Sequence, residues 1–152
     1  MKTKQISVFV ANRAGRLASV TRVLREESIN IRALSMADAP DFGIFRLIVR
    51  AVDGAVRSLK SAGFVTDVTE VVCVEVPDCP GGLGDVLDVL AAHDVNVEYM
   101  YAFVTQWVGR ALIFFRFEDT DAALDNLKGA GLTIVSGDEL WAVMDGVTEA
   151  NR

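Results

Sequence analysis

The chain has 152 residues, 51% of them hydrophobic and 24% charged, with a formal net charge of −6, a balance that suits one ordinary domain or two small ones and excludes a disordered chain. An isoelectric point near 4.7 sets the long-range field against phosphate backbones, so no nucleic acid is expected as a partner. Two cysteines, Cys73 and Cys79, are too few for a disulfide framework and too irregularly spaced for zinc; with neither a long apolar span nor a secretory leader, the expected setting is cytoplasmic, with no membrane partner.

In chain order, Lys4 to Val10 alternates Ile6, Val8 and Val10 and predicts a strand. From Gly15 to about Glu27, the recurrence of Leu17, Val20, Val23 and Leu24 gives an amphipathic helix. Residues 31–37 and 43–51 read as two strands joined by a hairpin that Pro40 and Gly43 mark. A second helix over Asp53 to Ala62 stops at Gly63, and residues 64–76 return to strand. The order is β-α-β-β-α-β.

The chain then repeats itself. Shifted by 66, Val10, Gly15, Leu17, Val20, Leu24, Asn30 and Ile31 fall on Val76, Gly81, Leu83, Val86, Leu90, Asn96 and Val97. The match runs on through Gly43 on Gly109 and Arg50 on Arg116, after which Leu59–Phe64 meets Leu127–Leu132 at an offset of 68, as a two-residue insertion requires. The second copy predicts strands near 70–76, 97–104, 109–117 and 133–136 and helices near 82–93 and 119–130, the last capped by Asp119 or Thr120. Glu139 to Met144 reads as a further short strand. The expected architecture is α+β: two ferredoxin-like βαββαβ repeats, 1–68 and 69–147, each an antiparallel sheet with helices on one face. The strand at about 65–76 can serve both. Arg46, Arg50, Ile44 and Ile48 share one strand face; Arg110, Leu112, Phe114 and Arg116 form its greasier counterpart, with Met100 nearby, and hint at a protein interface.

Each copy carries a first strand, a glycine-bearing turn (Asn-Arg-Ala-Gly-Arg-Leu from Asn12, Asp-Cys-Pro-Gly-Gly-Leu from Asp78), an amphipathic helix, and then Ile-Asn-Ile or Val-Asn-Val into the next strand. This resembles the ACT domain, the small-molecule sensor of amino-acid metabolism, here as two repeats over about 140 residues without an attached enzyme. Ala14 stands where the family commonly has proline. The resemblance implies side-by-side pairing, a homodimer in the family's manner, and an amino acid bound at the seam between repeats. It places the turn Asn12, Arg13, Ala14, Gly15 and Leu17 opposite Asn96 of the other copy, and Asp78, Cys79, Pro80, Gly81 and Leu83 opposite Asn30. The chemistry suits a zwitterion: a helix N-terminus offers free N–H groups to a carboxylate, glycine permits close approach, amides donate and accept, and Asp78 favours an ammonium.

Each residue also has a purely structural reading. The glycines can be tight turns, Asn30 and Asn96 left-handed turn residues, and Asp78 a helix cap. Selectivity is expected from the second strands, where Tyr99 and Tyr101 share a face that Ala33 and Ser35 occupy in the first copy. Catalysis has little footing: the one histidine, His93, has no nucleophile, base or metal ligand placed beside it, and no metal or cofactor is expected. An RNA-binding sheet, suggested by Ile113 to Phe117, lacks the basic and glycine residues of that surface. The expectation is a non-catalytic sensor that binds a free amino acid and regulates a metabolic enzyme or transporter; the competitor is a protein-interaction or regulatory subunit without its own ligand.

Overall fold

A computed structural model of the chain describes residues 1–38, 41–103 and 109–145. It divides into a unit of Lys4–Thr69 and a unit of Glu70 onward that also takes in Met1–Thr3. The hairpin position Pro40 lies outside the described residues.

The first unit runs β1 (Thr3–Ala11), α1 (Arg16–Glu26), β2 (Ile31–Asp38), β3 (Phe42–Val49), α2 (Val52–Ser61) and the start of β4 (Val65–Pro77). Its strands lie in the order β4-β1-β3-β2, with β1 and β2 antiparallel to β3. Alternation decides what the helices cover: Ile6, Val8 and Val10 of β1 and Phe45, Leu47 and Val49 of β3 meet Val20 and Leu24 of α1 and Ala55 and Leu59 of α2 in one core. On the opposite face, fully buried Gln5 donates from Nε2 to Ser7 Oγ (3.3 Å) and Thr69 Oγ1 (3.2 Å).

The second unit follows with the rest of β4, α3 (Gly82–Ala92), β5 (Val97–Phe103), β6 (Arg110–Phe117), α4 (Thr120–Gly129), β7 (Ile134–Val135) and α5 (Gly137–Met144). The strand order β7-β4-β6-β5 repeats that of the first. Val72, Val74, Val76, Ile113, Phe115 and Phe117 pack with Val86, Leu90, Ala123 and Leu127 of the two helices. Asp119 caps α4, its Oδ1 accepting from the N–H groups of Asp121 (3.1 Å) and Ala122 (3.0 Å). The Lys2 ammonium, 3.0 Å from Asp121 and 3.1 Å from Glu70, is held charged beyond the ordinary lysine range by those two hydrogen-bonded carboxylates.

Three expectations need correction. Glu139 to Met144 is helix, within α5: its buried residues Leu140, Val143 and Met144 follow helical spacing, and Asp138 and Glu139 suit the positive N-terminal end. The two-residue offset enters earlier than the sequence match suggests. Val8 pairs with Phe45 in the first unit and Val74 with Ile113 in the second, so β1 and β4 differ by 66 but β3 and β6 already by 68. The extra residues therefore lie between β5 and β6 in the chain. Leu112 and Phe114 are completely buried within the chain, so they do not form the exposed interface that their greasiness suggested. Burial also pushes the Cys73 thiol, opposite Phe114 on the same sheet face, up to about 12.

All four repeat helices end alike. Ser28 (φ 55°), Gly63 (φ 83°), Asp94 (φ 55°) and Gly131 (φ 75°) are left-handed. The following N–H reaches back five residues to a carbonyl: Ile29 to Leu24 (2.8 Å), Phe64 to Leu59 (3.0 Å), Val95 to Leu90 (2.9 Å) and Leu132 to Leu127 (3.0 Å).

Candidate functional site

The two turns share a geometry that the glycines make accessible. Gly15 (φ 83°, ψ −12°) and Gly81 (φ 94°, ψ −21°) sit at the N-caps of α1 and α3 in the left-handed region. Neither helix has a side-chain cap; the first helical N–H turns back into its own turn, Arg16 to Arg13 O (3.3 Å) and Gly82 to Cys79 O (3.1 Å), and no side-chain oxygen competes for the next ones. Each turn is anchored to the hairpin beside it, Asn12 N–H to Asp41 O (3.3 Å) and Asp78 N–H to Gly109 O (2.9 Å).

The second turn is the tighter. A Cβ on Gly82 would stand 2.1 Å from the Pro77 carbonyl oxygen, whereas the first copy has Arg16 at the corresponding position, its guanidinium 4.8 Å over the Phe64 ring. The exposed members are Asn12, Arg13, Ala14, Gly15 and Leu17 in the first turn and Asp78, Cys79, Pro80 and Gly81 in the second. Leu83 is different, since it packs half-buried against the second core and so has a structural task as well.

The structural readings of two residue types do not hold. Asp78 makes no cap to α3. Asn30 and Asn96 are not the left-handed residues; Ser28 and Asp94, two positions earlier, take that conformation. Both asparagines are exposed, and the turn does not need their amides.

Within one unit the turn and the asparagine stay apart. They sit at opposite ends of an 11-residue helix, which at a rise of about 1.5 Å per residue spans roughly 16 Å. One copy alone therefore brings only half of the predicted residue set together.

The tyrosines are also placed by register. Met100 pairs with core-facing Phe115, and Tyr101 pairs with Phe114 on the other face, the two rings 5.4 Å apart. Tyr99 and Tyr101 thus occupy the face away from the helices, while the turns lead into the helices. The strand residues on the helix side are Leu34 and Met36, opposite core residues Leu47 and Phe45, together with Met100. All three are exposed large hydrophobics, at 53%, 45% and 39%, which marks the two sheet-edge strands as partly uncovered. The alternation of β3 and β6 carried this signal, but only once one face of those strands was fixed as core. His93 closes α3, its Nδ1 lying 2.8 Å from the Val89 carbonyl.

The profile of the ACT domain pair family matches residues 1–144; the chain belongs to this family, with two ACT domains in tandem. It is 38% identical to protein BT0572 from Bacteroides thetaiotaomicron, with a TM-score of 0.86 over 93% of this chain and 96% of that one. It shares its fold with the regulatory subunit of aspartate kinase from Thermus thermophilus (17% identity, TM-score 0.60, 84% and 91% covered). It shares it also with aspartate kinase from Clostridium acetobutylicum (10% identity, TM-score 0.51), covering 85% of this chain and 33% of that one. No curated protein matches. Among the described residues, no helix is long and apolar enough to cross a membrane and no group of acidic, histidine or cysteine side chains forms a metal site.

Proposed function

We propose that the chain is a non-catalytic, cytoplasmic amino-acid sensor that works as a homodimer and regulates an enzyme or transporter of amino-acid metabolism. The observation that supports this reading is that each unit carries an exposed asparagine, Asn30 or Asn96, and a helix N-terminus without a side-chain cap, at Gly15 or Gly81. In this reading Asn12, Arg13, Ala14, Gly15 and Leu17 of one copy meet Asn96 of another, and Asp78, Cys79, Pro80, Gly81 and Leu83 meet Asn30. Amino acid filling the seam between repeats favours one arrangement of the domains, and that differential affinity biases the partner. The fold shared with a regulatory subunit makes a separate partner enzyme reasonable.

Thermal unfolding against the twenty amino acids tests this. One of them is expected to give a selective, saturable shift, worth about 2.7 kcal/mol at 100 times its dissociation constant, and alanine at Asn12, Asn30, Asp78 or Asn96 to weaken it. No shift with any amino acid overturns the sensor reading. A second reading, an interaction module without a ligand, draws support from the exposed Leu34, Met36 and Met100 and predicts that outcome.

A further inference from the structure

Where α1 gives way to β2, a shallow, open cavity of about 370 Å³ lies beside Asn30. Thr21 and Arg25 line it from one face of the helix, Ser28 and Asn30 from the connection, and Leu24 and Ile29 supply apolar walls. Thr21 turns its hydroxyl back to the Ala18 carbonyl (3.0 Å), and Arg25, Ser28 and Asn30 are the other polar residues of the lining.

Charge is sorted around this end of the helix. Arg25 is the charged residue of the cavity, whereas Glu26 and Glu27 line a separate groove with Arg57 of α2. Three of the helix-end carbonyls, which would repel an anion, each accept a backbone N–H. Val23 O accepts from Glu27 N–H (3.3 Å), Leu24 O from Ile29 N–H (2.8 Å) and Arg25 O from Ser28 N–H (3.0 Å). At the offset of 66, the second copy keeps the asparagine but has Leu87, Ala91 and Asp94 where the first has Thr21, Arg25 and Ser28. A cation has gone and a carboxylate has come in.

We propose that the cavity at Asn30 is a carboxylate-accepting compartment in which Arg25 anchors the ligand's carboxylate, and that the Asn96 corner, with Asp94, disfavours the same group. This rests on the amino-acid-binding reading above. A guanidinium presents two parallel N–H groups to a carboxylate, Ser28 and Asn30 add neutral donors, and Leu24 and Ile29 receive the aliphatic part of the ligand.

The test is calorimetric titration of the full chain with the amino acid that stabilises it and with its α-carboxamide, for wild type, R25Q, R25K and R22Q. Arg22 lies on the same helix outside the cavity lining and controls for a general loss of positive charge. R25Q is expected to weaken acid binding by about tenfold or more with little further effect on the amide, R25K to recover part of the loss, and R22Q to bind as wild type does. Acid binding by R25Q equal to wild type, or an equal loss in R22Q, overturns the anchoring role while amino-acid binding stands. Absence of binding by wild type removes the sensor reading and this inference with it.

Discussion

The two copies use one architecture and fill its helix-free face differently. In the first, the centre of that face is polar: Gln5 and Ser7 are buried on β1, beside Arg46 of β3 and Ser35 of β2. In the second, the register-equivalent places hold Val71, Cys73, Phe114 and Tyr101, of which the first three are fully buried. A buried polar row in which Gln5 bonds to Ser7 and Thr69 contributes little net energy but penalises misregister, because any slip strands its polar groups. An aromatic row contributes more energy and constrains register less. The duplication thus holds one helix-facing core pattern while the opposite faces divide specificity from stability.

The largest test of this contrast is truncation on each side. Phe114→Ala should cost about 3–5 kcal/mol, as removal of a fully buried aromatic does, and Gln5→Ala about 1–3 kcal/mol through the unsatisfied groups it leaves; urea unfolding of both variants measures the gap. Equal costs would mean that the polar row carries as much of the stability as the aromatic one.

The second contrast is a titration. Cys73, raised from 9.0 to about 12 in the folded protein, ionises more easily in the unfolded chain. Its contribution is therefore complete below about pH 9 and is lost as pH rises toward 12. Its counterpart, Ser7, does not titrate. Chemical denaturation between pH 8 and 11 should show declining stability with a shallower slope in Cys73→Ala, and an unchanged slope would assign the decline to other groups.

The smallest contrast lies within each copy, between the first helix and the second. The left-handed C-terminal position is glycine after α2 and α4 but Ser28 and Asp94 after α1 and α3. Ser28→Gly and Asp94→Gly relieve that conformation and should each add roughly 0.5 kcal/mol, the relief being partly offset by unfolded-chain entropy. A loss in the melting experiment would show that those side chains earn their place through contacts instead.

Much of this was legible in the chain. The period change from two to about three and a half residues located the strands and helices of both copies, and Gly15, Gly81 and Gly63 marked turns where left-handed geometry was indeed required. The tail was not legible, because a short apolar run such as Leu140 to Met144 fits a strand as readily as a buried helix until its neighbours are known. The site was half legible. The turns stood out, but the left-handed residues Ser28 and Asp94 have no glycine signature, so the asparagines nearby attracted that role. Sheet faces stayed ambiguous wherever both sides of a strand were apolar, which hid Leu34 and grouped Met100 with Leu112 and Phe114, although it lies opposite Phe115 on the helix side. Arg25 was hidden too, since one arginine on a charged helix face looks like any other until a cavity forms beside it.

One equivalent pair gives the copies different sensitivities to their surroundings. Phe9 and Phe42 are diagonal neighbours on β1 and β3 with ring centroids 6.4 Å apart, and the register places Glu75 and Arg110 at the same two positions in the second, 2.8 Å apart. An apolar contact weakens on cooling and strengthens in salting-out salts, whereas a surface ion pair is screened as ionic strength rises. Concentrated sulfate should therefore tighten that end of the first sheet and loosen the same end of the second, and chilling should act chiefly on the first.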